Sequence, residues 1–81
     1  MEITRGLVVR SAAGHDKGDF FVILSLDDKY AFICDGKSRK LEKTKKKKHK
    51  HLFVTNTVLP EDSLKTNREI RRALSAFNKN A

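Results

Sequence analysis

Tryptophan is absent from this 81-residue chain, and tyrosine, methionine, proline and cysteine occur once each. With Cys34 alone, no intramolecular disulfide can form, so the fold must rest on its apolar core, and a reducing, cytoplasmic setting is expected. The longest apolar stretch, residues 20–24, falls far short of the roughly 20 residues of a membrane span. Met1-Glu2-Ile3-Thr4-Arg5 lacks the apolar run of a secretion signal. There is no Gly-x-Ser-x-Gly, no Walker-type phosphate loop and no paired-cysteine ligand set. Asp27 and Asp28 are adjacent carboxylates in a turn and would point apart along a strand, so neither catalysis nor a cofactor is expected. Hydrophobic residues are 38% of the chain, enough for one small core but not for a large buried cavity.

What the chain has in excess is positive charge: 18 Lys+Arg against 10 Asp+Glu, a formal +8. Residues 37–51 hold nine Lys/Arg and one Glu, while the rest of the chain balances nine bases with nine acids. One segment therefore carries the whole imbalance. Such a segment repels itself when unpaired and is stabilised by polyanion phosphates, so it reads as a flexible basic loop that orders on a ligand. Its cations, Lys37, Arg39, Lys40 and Lys43, then Lys45, Lys46, Lys47 and Lys48, then Lys50 with His49, are the expected polyanion contacts. Two histidines spaced as in His49-Lys50-His51 could share one side of an extended chain. A zinc site needs further ligands, however, and the flanking lysines repel a dication, so no metal is expected.

Up to Leu41 the pattern is of short strands. Leu7-Val8-Val9-Arg10-Ser11 is β-branched and ends at Ala12-Ala13-Gly14. Residues 14–18, bracketed by Gly14 and Gly18, form a shaped polar loop, with Asp16 expected to bond its own backbone as an Asx-turn. In the strand Phe20-Phe21-Val22-Ile23-Leu24-Ser25-Leu26, one face carries Phe20, Val22, Leu24 and Leu26. The second, with Phe21 and Ile23, is partly apolar and needs a cover. Asp27-Asp28-Lys29 turns into Tyr30-Ala31-Phe32-Ile33-Cys34, where Cys34 reads as a small core residue. Asp35-Gly36 signals a type I′ hairpin into a strand from Lys37 that fades past Leu41. Leu52-Phe53-Val54 is a short last strand, and Tyr30 and Phe53 are the candidate stacking aromatics.

The tail changes period. Ile70, Ala73, Leu74 and Phe77 share one helical face, led in by Pro60 and by a capping box of Thr66 and Glu69. The helix is the expected cover for the second apolar face. Its opposite face carries Arg68, Arg71, Arg72 and Lys79, where the first three are further candidate contacts for the same polyanion.

Residues 6–18, with the strand that follows, resemble a KOW motif: a glycine, an alternating strand, a Gly-x-Asp-Lys-Gly loop (Gly14, Asp16, Lys17 and Gly18), then a second strand. Ser63-Leu64-Lys65-Thr66-Asn67 and the helix after it are similar to small KOW-type ribosomal proteins. The chain departs from the family at Asp19-Phe20, where members carry more basic or glycine-rich residues. The resemblance implies a mainly β fold, a small SH3-like barrel over residues 1–59 with a helical extension at 60–81. It also implies a loop facing a ligand, with Lys17 on a phosphate, backbone N–H groups cradling another, and Arg10 and His15 beside them. The implied partner is ribosomal RNA, with ribosomal proteins as further neighbours, and a monomer is expected. A protein-interaction module accessory to transcription or translation is the rival reading. A polybasic membrane adaptor lacks the second anchor such proteins need.

Overall fold

The computed structural model describes residues 2–78. Five strands, β1 (Leu7–Ser11), β2 (Phe20–Leu26), β3 (Tyr30–Cys34), β4 (Lys45–Lys48) and β5 (Leu52–Val58), form one antiparallel sheet in the order β4-β3-β2-β1-β5. Single 3-10 turns occupy His49–His51 and Glu61–Leu64, and one helix, α1, spans Asn67–Asn78. The fold is mainly β with a C-terminal helix, as expected.

The order dictates the shape. β4 and β5 are opposite edges, which a flat five-stranded sheet would hold about 19 Å apart. Yet only His49–His51 joins them, and three residues of 3-10 helix rise about 6 Å. The sheet must therefore curl until its edges approach. Among the described residues no ladder links β4 to β5, so the barrel stays open along that seam.

Curling gives the sheet two apolar faces with different covers. Leu7, Val9, Phe21, Ile23, Ala31, Ile33 and Leu52 form a cluster enclosed by the sheet itself. Val8, Val22 and Cys34 point outward and pack under Leu64, Ile70 and Leu74, with Phe20, Leu24 and Phe77 at the margin. The helix thus covers the Phe20/Val22 side of β2, and not the Phe21/Ile23 side that the sequence pattern suggested. Period two separates the faces of a strand but does not say which one is concave. A bulge between Ile23 and Ser25 then breaks the alternation and leaves Leu26 exposed. Cys34 is a core residue as expected. Burial, with Asp35 and Glu42 nearby, pushes its thiol up to about 12, so it stays protonated at neutral pH.

Two local expectations change. The hairpin at Asp27 forms, its Oδ1 accepting from the N–H groups of Lys29 and Tyr30 at 3.0 and 2.8 Å. At Asp35-Gly36 no hairpin forms. A type I′ turn needs positive φ at both central residues; Gly36 has φ 75°, but among the described residues only glycines have positive φ. Instead Asp35 accepts from the N–H groups of Lys37 and Arg39 and from the Ser38 hydroxyl. Residues 35–44 thereby curl into a loop where a strand was expected. That loop docks on α1: Leu41 N–H donates to Asn67 Oδ1 at 2.7 Å, and Asn67 Nδ2 donates to Glu42. Only half of the capping box exists. Thr66 Oγ1 accepts from Glu69 N–H at 3.1 Å, but Glu69 takes the Thr66 hydroxyl rather than its backbone N–H. At the far end Asn78 brackets the first residue of β2, accepting from Phe20 N–H at 3.0 Å and donating to its carbonyl at 3.3 Å.

Gly36 lies directly under the start of α1, where an added Cβ would meet the Asn67 carbonyl oxygen. Gly36→Ala combines left-handed strain with that collision and should cost about 2 kcal/mol or more. Thermal melting should fall by about 8 °C or more, on the usual scale for a domain of this size.

Candidate nucleic-acid interface

The lysine run is ordered. Lys45, Lys46, Lys47 and Lys48 pair with Ile33, Phe32, Ala31 and Tyr30 of β3. Alternation along β4 splits them into two pairs. Lys46 and Lys48 stand on the outer face beside Phe32 and Tyr30, while Lys45 and Lys47 point with Ala31 and Ile33 towards the enclosed side.

An inward lysine needs a counter-ion, because removing an ammonium from water costs several kcal/mol. Asp16 supplies it from the loop between β1 and β2. Lys47 is only 7% exposed, and its Nζ donates to Asp16 Oδ1 and to the Ala13 carbonyl, each at 2.6 Å. Lys45 Nζ lies 3.0 Å from Asp16 Oδ2. The buried Ser11 hydroxyl is 2.7 Å from Asp16 Oδ1 and 3.0 Å from the Ala13 carbonyl, with one proton to give. Gly14 leaves room for the cation: Lys47 Nζ is 3.4 Å from where a Cβ at that position would sit. Burial alone would raise the Asp16 carboxyl. The hydrogen bonds from Lys47, Ser11 and Lys45, together with the Lys47 charge, outweigh it and hold the carboxyl well below the usual carboxylate range.

Several expected roles change as a result. Lys45–Lys48 form a strand on β3 where a flexible loop was expected, with Asp16 as counter-ion to the two inward lysines. Lys45 and Lys47 are committed to Asp16, which removes them from the phosphate-binding set. Asp16 makes no Asx-turn; the loop closes through backbone bonds from Lys17, Gly18 and Asp19 N–H to the Gly14, Ser11 and Asp16 carbonyls. Those three donors are spent inside the loop, so they offer no phosphate cradle. Gly14 and Gly18 do shape it, with φ of 89° and 94°. His49 Nε2 is shielded and has no partner among the described residues, so it does not face a phosphate. His49 and His51 share a 3-10 turn rather than an extended strand, which removes the same-side spacing considered for zinc.

Most of the remaining cations gather in four places. Lys46 Nζ sits 4.2 Å over the Tyr30 ring, a cation–π contact that holds the lysine on the outer face and covers the tyrosine. Lys48 and Lys50 line one depression with Lys29 and Asp28. His15 and Arg39 line a groove beside Lys45 and Asp19, between the glycine loop and the β3–β4 loop. Lys37 meets Arg71 in a depression at α1, while Arg68 and Arg72 are exposed elsewhere on the helix. Lys17, Lys40 and Lys43 are exposed and make no ion pair among the described residues. Lys79 lies outside the described residues.

Arg10 is exposed on β1, opposite Phe53, with Nη2 3.9 Å from where a Gly18 Cβ would sit. Sequence reasoning missed Asp16 and Ser11 as the anchor. The available signal was period two: a lysine strand must aim alternate side chains inward, and an inward lysine calls for an acid. It also missed Arg5, whose guanidinium forms a bidentate pair with Glu61 at 2.8 and 3.0 Å and donates to the Leu24 carbonyl.

In comparisons with known proteins, the chain matches no protein-family model and no curated protein.

Asp16→Asn strands the buried Lys47 charge and should cost about 3–5 kcal/mol by chemical denaturation at neutral pH. Amide-exchange protection across Lys45–Lys48 should fall with it. Because the folded carboxyl sits below its unfolded value of about 3.9, its stabilisation is full above about pH 5 and is lost as pH falls through 4 and lower. The wild type should therefore lose stability on acidification over that range, and the Asp16→Asn variant should lose less.

Proposed function

We propose that this is a cytoplasmic RNA-binding protein that captures phosphates on an ordered lysine edge. Following the KOW resemblance, we assign it to ribosomal RNA, on the ribosome or during its assembly. The observation that carries the reading is the sorting of β4. Lys46 and Lys48 stand two residues apart on one exposed face, about 6.8 Å along the strand. That is the scale on which phosphates follow one another along a nucleic-acid strand. Their backbone is held by the Lys47–Asp16 pair before any ligand arrives, so binding need not bear the entropy cost of ordering that segment.

Six lysines between 37 and 51 remain exposed: Lys37, Lys40, Lys43, Lys46, Lys48 and Lys50. If each neutralises one phosphate, log affinity should fall with log salt at a slope of about −4 to −5. Such contacts position a protein without reading sequence, so any preference for one RNA must come from elsewhere on the surface.

Binding to purified ribosomal subunits and to an unrelated RNA duplex across a salt series tests the reading. Lys46→Ser with Lys48→Ser should weaken both RNAs and make the slope shallower by about 1.5 to 2. Retention of a preference for one subunit as salt rises supports a ribosomal target. Salt-independent binding, or none by the wild type, refutes the proposal. An acidic protein partner bound equally well by wild type and variant would favour the protein-interaction reading instead.

A further inference from the structure

Phe53 is 60% exposed, the most exposed of the large apolar side chains among the described residues. A ring in that position adds little to the core, and leaving it in water forgoes the burial that a phenylalanine usually gains. Its surroundings indicate what would cover it. Directly across the β1–β5 ladder stands Arg10, exposed and without an ion pair among the described residues. Paired residues of a ladder point to the same face, so ring and guanidinium share the outer surface of the curled sheet. On the chain's other side, Lys50 precedes Phe53 by three residues, at most about 10 Å of backbone. Arg10 is thus its cross-ladder neighbour, and Lys50 lies three residues back along the chain.

Tyr30, the other candidate aromatic, has a cation parked on its ring. Phe53 has no cation over its ring among the described residues, is 60% exposed, and faces Arg10 across the ladder. An apolar protein surface would match the ring but would have to desolvate Arg10 without neutralising it. A nucleotide matches both features, with a flat base for the ring and phosphates for Arg10 and Lys50. In a duplex both faces of a base are already stacked, so the base must be unpaired.

We infer that Phe53 is a stacking platform for one unpaired base of an RNA strand, with Arg10 holding the adjoining phosphate. The inference rests on RNA being the ligand and narrows it to single-stranded segments, loops or bulges. The lysine edge supplies sequence-blind affinity, and Phe53 supplies the preference for unpaired RNA.

The test measures binding of a short oligouridine and of an RNA duplex of equal length to wild type, Phe53→Ala, Phe53→Trp and the Lys46→Ser/Lys48→Ser variant. Phe53→Ala should weaken oligouridine binding about tenfold, within the range expected for one stacked base. Duplex affinity and both salt slopes should be unchanged, and Phe53→Trp should restore the loss. A 2-aminopurine placed in the strand should be quenched by wild type and not by Phe53→Ala. Far-UV circular dichroism confirms folding of each variant, which the exposure of position 53 favours. Equal effects of Phe53→Ala on single strand and duplex, or none on either, overturn stacking while the lysine variant still reports phosphate binding. If the wild type binds neither RNA, the parent proposal falls and takes this one with it. If Phe53→Ala leaves RNA affinity intact but abolishes self-association in sedimentation, the ring is a contact between copies and the inference is overturned.

Discussion

The ion pair between Lys47 and Asp16 is the constraint on which the exposed lysine edge depends. It joins the edge strand β4 to the loop between β1 and β2, 31 residues away in sequence, with Ser11 and Lys45 on the same carboxylate. Without it, only the ladder to β3 would hold four consecutive lysines at the rim of a small sheet. With it, two of them become structural and the other two are turned outward at a fixed spacing. The outward pair on β4 is therefore a by-product of how the fold solves a desolvation problem.

The second constraint is topological. Placing β4 and β5 at opposite ends of the strand order and joining them by three residues forces the sheet to curl. Curling creates an enclosed face that needs no other cover and an outer face that does. α1 meets the second need through Ile70 and Leu74, held at its start by Asn67 against the β3–β4 loop and at its end by Asn78 against Phe20. The parts of the outer face that α1 leaves bare, around Arg10, Phe53, Lys46 and Lys48, are where a ligand can reach the sheet.

Much of this was legible in the residues. β1, β2 and β3 carry β-branched and aromatic side chains in the expected stretches, and the 3.6-residue spacing from Ile70 to Phe77 marks α1. β4 was not legible, because Lys45–Lys48 has no apolar alternation and local repulsion argues against order. What makes it a strand is non-local: the ladder to β3 and an acid from another loop. The Asp35-Gly36 turn misled for a related reason. The dipeptide is a sound local signal, but the chain there packs against the start of α1, and Asp35 keeps a negative φ. The charge of residues 37–51 was plain from composition, whereas its division into buried anchors and exposed contacts required the register.

An open barrel has two unpaired strand edges, and such edges invite pairing with a second copy. Along β4 that approach would set the outward Lys46 and Lys48 against their counterparts, a repulsion that grows as the backbones close to ladder distance. These outward lysines thus act as a guard against stacking into larger sheets. That guard is conditional on charge. When high salt screens Lys46 and Lys48, or an anion neutralises them, the edge loses its main protection.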